Sequence, residues 1–154
     1  MFNKEEIALA KPTVEAIKKI SRNYYNSVSK LPGGGLSETE WEWEPEVGEF
    51  YITPENEIWC IGDDLDREDT IIAKDLNKKY IPLLHWERIE EILEGMGYSM
   101  IVSHPLDCPD GKRLGYLCII WHKDWSSDKE IEYVGDRRQE AVQRAVIELG
   151  RVKG

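Results

Sequence analysis

The strongest constraint on the fold is an almost unbroken apolar run at residues 114–122. Such a run predicts a central β-strand that is covered on both faces. Residues 109–112 predict a turn just before it, since proline presets φ and glycine tolerates positive φ. Residues 98–104 are rich in β-branched and aromatic side chains, end before Pro105 and predict another strand. Together these segments predict a β-hairpin.

A helix is predicted on either side of this hairpin in the sequence. Residues 86–94 place apolar side chains at helical spacing and glutamates on the opposite face. Pro82 is typical of the start of such a helix. Residues 135–151 predict the other helix, and residues 136–139 resemble a capping box that opens it. Its buried stripe is predicted to consist of Ala141, Val142, Ala145, Val146 and Leu149.

The first thirty residues predict a helical arm. Asn3 can cap a short helix over residues 4–10, which Pro12 stops or restarts. Apolar side chains then recur on one helical stripe as far as Val28. The glycine run at residues 31–35 predicts a flexible hinge. A phosphate-binding role for this run is disfavoured, because the strand, helix and Lys-Ser/Thr signature of such loops are missing around it.

A further hairpin is predicted by residues 48–52 and 58–61, which flank a turn with proline and asparagine. Residues 39–44 alternate aromatic and acidic side chains, a period-two pattern that is typical of a strand. Residues 130–134 predict a short edge strand.

These elements predict an α+β fold in which an antiparallel sheet of two hairpins has helices packed mainly on one face. The chain is expected to divide into an N-terminal helical arm, residues 1–32, and a single α+β domain, residues 37–154. Most aromatic side chains, including Trp59, Trp86, Tyr116 and Trp121, are predicted to lie in the core.

The composition indicates a soluble globular protein. Of the 154 residues, 41% are hydrophobic and 32% are charged, and no apolar run approaches the ~20 residues of a membrane span. Residues 1–6 lack the apolar core of a signal peptide, so a cytoplasmic protein is expected. The three cysteines show no framework spacing, which predicts reduced thiols.

The acidity of the chain is concentrated in one window. Residues 38–69 hold thirteen Asp and Glu against the single basic residue Arg67, whereas the formal net charge of the whole chain is −10. Phosphate contacts need a basic face, so direct binding to nucleic acid is disfavoured. No membrane partner is expected either.

Several side chains suggest metal chemistry without forming a recognisable site. Cys118 and His122 lie four residues apart on one predicted strand, roughly 13 Å from each other, so both cannot bind one metal. A pair such as His104 and Cys118 across the hairpin would supply only two ligands. The run of acidic residues that begins at Asp63 lacks the glycine and glutamate of a calcium-binding EF-hand. No metal or cofactor is therefore predicted, and Cys118 is interpreted as a buried apolar residue.

A thiol enzyme is the weaker functional alternative. Cys108 lies on the predicted turn with Asp107 beside it and His104 four residues earlier. A working dyad needs a base within hydrogen-bond reach and an oxyanion donor, and no family signature surrounds the cysteine. No catalytic residue is assigned.

Residues 43–50, 82–93 and 139–149 carry a family resemblance through a turn glycine and through their helix faces. In these segments the chain resembles small bacteriophage and prophage proteins of unknown function, some of which are grouped as phage αβα-sandwich domains. The resemblance covers about residues 40–150 and leaves out the N-terminal arm. It implies a small phage accessory protein in the bacterial cytoplasm, and it brings no catalytic residues.

The leading hypothesis is a non-enzymatic accessory protein that binds a protein partner through the acidic window. Exposed aromatic residues among acids are typical of such contacts. The alternative is an acidic inhibitor that mimics nucleic acid and blocks a basic host factor that binds DNA or RNA. Homo-oligomerisation also stays open. A further alternative is that Trp41 and Trp43 merely cover one face of a sheet and bind no partner. The predicted partner surface comprises Trp41, Glu42, Trp43, Glu44, Glu46, Glu49, Tyr51, Asp63, Asp64 and Asp66.

Overall fold

The computed structural model describes residues 2–29, 40–62, 80–103, 115–124 and 129–153. These ranges contain four helices and six strands, which confirms the α+β class. In chain order they are α1 (Lys4–Ala8), α2 (Ala10–Ser29), β1 (Phe50–Ile52), β2 (Ile58–Cys60), β3 (Ile81–Leu83), α3 (Trp86–Glu94), β4 (Tyr98–Ser103), β5 (Tyr116–His122), β6 (Ile131–Gly135) and α4 (Arg138–Lys153).

The strands form two antiparallel sheets of three strands each. Sheet 1 has the order β2-β1-β3, and sheet 2 has the order β4-β5-β6. Both predicted hairpins are confirmed as strand pairs, β1 with β2 and β4 with β5, and β6 is the predicted edge strand. The prediction of one sheet was wrong because each hairpin gains its own third strand. The turn at residues 109–112 lies outside the described residues.

Pro82 lies in β3, so its predicted role as a helix start was wrong. Backbone bonds from Ile61 N to Glu49 O and from Thr53 N to Glu57 O fix the alternation of the β1–β2 ladder. The backbone N–H and C=O of Tyr51 therefore bond to β2. Pro82 pairs with Tyr51 on the opposite side of β1, and its backbone nitrogen points to the open edge of sheet 1. A proline there removes no ladder hydrogen bond.

Helix α2 contributes to the main core, whereas α1 packs on the smaller cluster, and the division into an arm of residues 1–32 and a domain of residues 37–154 stays a prediction. Asn3 caps α1 as predicted, in a reciprocal capping box with Glu6. On α2, Ile17 and Ile20 are buried in the same apolar cluster as Leu149 of α4. A Cβ on Gly150 would lie 2.8 Å from the Cβ of Ala16, which shows how closely α2 and α4 approach. The proposed hinge at residues 31–35 lies outside the described residues.

The main core lies between α2, α3, α4 and one face of sheet 2. Every member of the stripe predicted for α4 is fully buried there. A smaller cluster sits on sheet 1, where α1 and the start of α2 cover Ile52 and Leu83. None of the described helices combines the length and the apolar character that crossing a bilayer requires.

Gln139 connects the start of α4 to the start of α3. Its Nε2 donates to Leu84 O at 2.7 Å, and its Oε1 accepts from Trp86 N at 2.7 Å. The predicted capping box of residues 136–139 was therefore wrong, because Glu140 rather than Gln139 accepts the bond from Asp136 N, at 3.3 Å. Since the His85 side chain makes no capping bond, Gln139 supplies the side-chain cap of α3.

Candidate functional site

The structure divides the predicted partner surface into exposed and buried residues. Residues 41–46 form no strand, contrary to the prediction from their alternation. The exposed members are Glu42, Glu44 and Glu46, which we call the acidic loop. Trp41 and Tyr51 are half-buried against the main core. Asp63, Asp64 and Asp66 lie outside the described residues.

Trp43 and Glu49 are buried beneath the acidic loop and anchor it through hydrogen bonds. Trp43 is 1% exposed, and its Nε1 donates to Glu49 Oε1 at 3.2 Å. The same oxygen accepts from Glu46 N at 2.9 Å, and Arg88 Nε lies 3.8 Å from Glu49 Oε2. As partner-surface residues these two were predicted wrongly, because their side chains bond to each other inside the protein.

Burial raises the pKa of the Glu49 carboxyl above its ordinary value. The bonds from Glu46 N and Trp43 and the charge of Arg88 oppose this shift without cancelling it. A carboxyl with a raised pKa takes up its proton at a higher pH in the folded than in the unfolded chain. Its contribution to stability is therefore complete below the unfolded pKa and is lost as the pH rises through the folded pKa.

We expect Glu49→Gln to remove this pH dependence, because an amide keeps the acceptor oxygen for Trp43 and Glu46 but does not titrate. The unfolding free energy of the wild type, relative to Glu49→Gln, should fall as the pH rises from about 4 to about 7. Urea denaturation at several pH values measures it, and Glu42→Gln controls for the loss of one negative charge. A difference that stays constant or grows with pH would contradict the assignment.

Strand β2 presents an exposed tryptophan that the sequence placed in the core. Trp59 is 54% exposed, and its Nε1 donates to Glu57 Oε2 at 3.1 Å. Ile58 and Cys60 are exposed too. Since Tyr51 and Trp59 face each other in the β1–β2 ladder, the backbone groups of Ile58 and Cys60 point to the open edge of sheet 1.

Within the part of the chain that the structure describes, the apolar strand β5 packs against a core cluster on one face only. Its Cys118 and Ile120 point into the main core and are fully buried, as predicted for the cysteine. Side chains alternate along a strand, so Leu117, Ile119 and Trp121 point to the other face, where they are half-buried. The second face is therefore only partly covered, and the prediction that both faces are fully covered is not confirmed there.

The neighbouring strands extend this second face of sheet 2. Ile101 of β4 lies opposite Ile119, and Val134 of β6 lies opposite Leu117. Ile101 is 51% exposed and Val134 is 52% exposed. We call this surface the open sheet face; within the described residues, none of its members joins either core cluster. They are Ile101, Leu117, Ile119, Trp121 and Val134.

The cysteine and histidine of β5 do not form a reactive pair. Burial raises the pKa of the Cys118 thiol to about 12, so the thiolate form is absent near neutral pH. His122 packs edge-on against Tyr98 at 4.8 Å. Within the described residues, no three His, Cys, Asp or Glu side chains come together as a metal site. His104, Asp107 and Cys108 lie outside those residues.

A polar cavity of about 270 Å³ lies where α1, α3, β5 and the start of α4 meet. Glu6 is fully buried at its wall, and its Oε1 accepts from Asn3 N at 2.9 Å and lies 3.3 Å from Arg137 Nη1. Arg138 places its guanidinium 5.1 Å from the centre of the Tyr116 ring. This cavity could not be predicted from the sequence, because its residues lie far apart along the chain.

Comparison with known proteins identifies no relative. No family model matches the chain, and neither a curated protein nor a solved structure is significantly similar to it. The resemblance to phage proteins therefore stays a prediction. Function has to be inferred from the surfaces and the cavity themselves.

Proposed function

We propose that the protein is a non-enzymatic binding protein whose open sheet face contacts a partner protein. The observation that supports this is a group of five apolar side chains on three adjacent strands, with Ile101 and Val134 more than half exposed, although Ser99, Ser103 and Glu132 share the face. Contiguous exposed apolar surface of this kind marks interaction sites in proteins. Trp121 would be the natural anchor, since tryptophan is enriched among the residues that dominate binding energy.

The resemblance to phage accessory proteins makes a bacterial protein the first partner to look for. An apolar contact face favours a complex whose affinity comes from buried apolar area and therefore changes little with salt. This property separates the proposal from an electrostatic one.

The acidic loop and β2 support a second candidate, a contact with a basic partner such as a nucleic-acid-binding host factor. Glu42, Glu44 and Glu46 are exposed, and Trp59 stands exposed beside Glu57. Clustered carboxylates imitate a row of phosphates and steer a basic partner toward the surface. Binding of this kind weakens steeply as salt screens the charges.

One capture experiment distinguishes the two candidates. Tagged full-length protein is incubated with bacterial lysate at about 0.1 M and about 0.5 M salt, which differ strongly in screening. Retained proteins are then quantified by mass spectrometry. Ile101→Lys alters the open sheet face, and Val152→Lys is its matched control, since Val152 is an exposed apolar residue on α4. Lysine at Glu42, Glu44 and Glu46 reverses the acidic loop, and lysine at the exposed Glu15, Glu94 and Glu130 makes the same charge change elsewhere.

We expect a partner that is retained at both salt concentrations and falls about tenfold or more with Ile101→Lys but not with Val152→Lys. Equal capture by Ile101→Lys and the wild type would overturn the open sheet face as the contact. A partner lost at high salt and lost only with the acidic-loop variant would establish the second candidate instead. If both variants retain every protein that the wild type retains, both candidates are overturned.

A further inference from the structure

Strand β4 is an edge strand of sheet 2 that lacks the usual protection of such strands. Within the described residues it pairs with β5 alone, and its sequence contains neither a charged residue nor a proline. Edge strands are normally protected by charges, by proline or by short length, because their unpaired backbone groups can bond to another chain. The other described edges have such protection. Strands β2 and β3 are short, β3 contains Pro82, and β6 contains Glu132.

The hydrogen-bond pattern of sheet 2 shows which backbone groups of β4 face its outer side. Lys123 N donates to Gly97 O at 3.4 Å, directly before the β4–β5 ladder begins. Bonded pairs alternate along an antiparallel ladder, so every second residue from Ser99 to Ser103 bonds to β5. The N–H and C=O groups of Met100 and Val102 therefore point away from β5, toward the edge where a further strand can add.

The sequence of β4 is self-complementary in the antiparallel direction. Residues 99–103 read Ser-Met-Ile-Val-Ser, which has the same pattern of polar and apolar residues in both directions. When two copies pair about Ile101, serine faces serine, Met100 faces Val102 of the second copy, and Ile101 faces itself. Pairing about Met100 would instead place Ser99 opposite Ile101. The strand that matches β4 at every position is therefore a second copy of β4.

Ile101 lies where two paired copies would approach most closely. Its backbone groups bond to β5, so across the two copies it would form a pair without hydrogen bonds, in which the Cα atoms are about 4.5 Å apart. The side chain is 51% exposed, whereas the rest of β4 is half-buried. Directly opposed apolar side chains stabilise strand pairing. Pairing would thus cover the one exposed side chain of β4 while Met100 and Val102 exchange backbone hydrogen bonds.

We propose that two copies of the protein form a dimer by antiparallel pairing of their β4 strands about Ile101. The interface is isologous, because both copies contribute the same strand. The two copies of sheet 2 join into one continuous sheet, and their open sheet faces lie side by side on it. This contact goes beyond the proposed function, since it uses the backbone edge of sheet 2 and needs no other protein.

Sedimentation velocity of the purified full-length protein tests the dimer. The wild type is expected to pass from monomer to dimer between about 1 µM and about 200 µM. Ile101→Lys and Ile101→Glu each place like charges opposite each other, so either variant alone should dissociate at least about tenfold more readily. An equimolar mixture of the two variants pairs lysine with glutamate and should restore the dimer. Only a residue that faces its own copy gives this result.

Val134→Lys and Val134→Glu are the matched controls, since Val134 is 52% exposed on the same sheet face but lies on β6. They should leave the dimer unchanged. A wild type that stays monomeric at about 200 µM would overturn the proposal. A mixture of the Ile101 variants that stays monomeric would do the same. Loss of the dimer in the Val134 variants too would show that the copies meet face to face, which also excludes pairing through β4.

Hydrogen exchange gives a second readout that needs no substitution. The amides of Met100 and Val102 should exchange more slowly in the dimer at about 200 µM than in the monomer at about 1 µM. Equal exchange at both concentrations would contradict the pairing. No lysate is present, so a negative result leaves the proposed partner contact standing. Conversely, a partner that binds the Ile101 side chain is lost with both variants and is not restored by mixing them.

Discussion

Replacing Trp43 with alanine is expected to lower the free energy of unfolding by about 3–5 kcal/mol. The indole is one of the largest side chains that the core buries completely, and it packs with Tyr51 at a ring distance of 6.1 Å. Its loss would leave a cavity and also remove a hydrogen bond to the buried Glu49 carboxylate. Urea denaturation, with a check that the slope is unchanged, measures the effect.

Trp59→Ala is the matched control, because Trp59 is more than half exposed and donates its indole N–H to an exposed glutamate. This substitution should change the stability by less than about 1 kcal/mol. Similar losses in the two variants would contradict the assignment of Trp43 to the core and of Trp59 to the surface.

Gln139→Leu is expected to lower the free energy of unfolding by about 2–6 kcal/mol, although leucine has nearly the same size. The amide satisfies Leu84 O and Trp86 N at once, and each group left unpaired in a buried place costs about 1–3 kcal/mol. Hydrogen exchange gives a local readout, because the Trp86 amide loses its acceptor and should exchange faster.

Gln143→Leu, on the same helix, controls for burying a leucine in place of an amide. Gln143 is as deeply buried, but its Oε1 has no partner and only its Nε2 is bonded, to Glu6 O at 3.1 Å. Removing an unpaired oxygen offsets the lost bond, so the cost should stay within about 1 kcal/mol. If Gln143→Leu lost as much stability as Gln139→Leu, the two hydrogen bonds of the Gln139 side chain would not be what stabilises the contact between the starts of α3 and α4.

The elements that could be predicted from the sequence are those whose signal is local. The stripe of α4 recurs over about two and a half turns, and Asn3 with Glu6 forms a capping box within four residues. Strand β5 could be predicted because nearly its whole length is apolar. Signals of this kind depend on periodicity or on immediate neighbours, which a single sequence displays.

What the sequence could not indicate depends on contacts between distant segments. Strand β3 has only three residues, and its proline is tolerated because of where Tyr51 directs its hydrogen bonds. Trp43 alternates with glutamates like a surface residue, and it is buried because Glu49 turns inward to bond with it. Gln139 and Trp86 are 53 residues apart, and only the fold brings them together.

The same limit applies to the candidate sites. An apolar strand does not reveal which of its faces a helix will cover, so the open sheet face could not be distinguished from a second core face. The polar cavity joins residues from both ends of the chain, and Glu6 looks like an ordinary capping glutamate. Of the predicted acidic surface, the exposed loop glutamates were recognisable from charge alone.

The packing of α2 against α4 has a consequence for how the chain is made. Ile17 and Ile20 are buried by a helix that begins about 120 residues later, and a ribosome adds about 5–20 residues per second. The apolar stripe of α2 therefore waits roughly 6–24 s for its cover while the chain is still growing. During that interval it is a target for chaperones and for neighbouring nascent chains, so the protein should depend on its cellular environment most strongly before α4 has emerged.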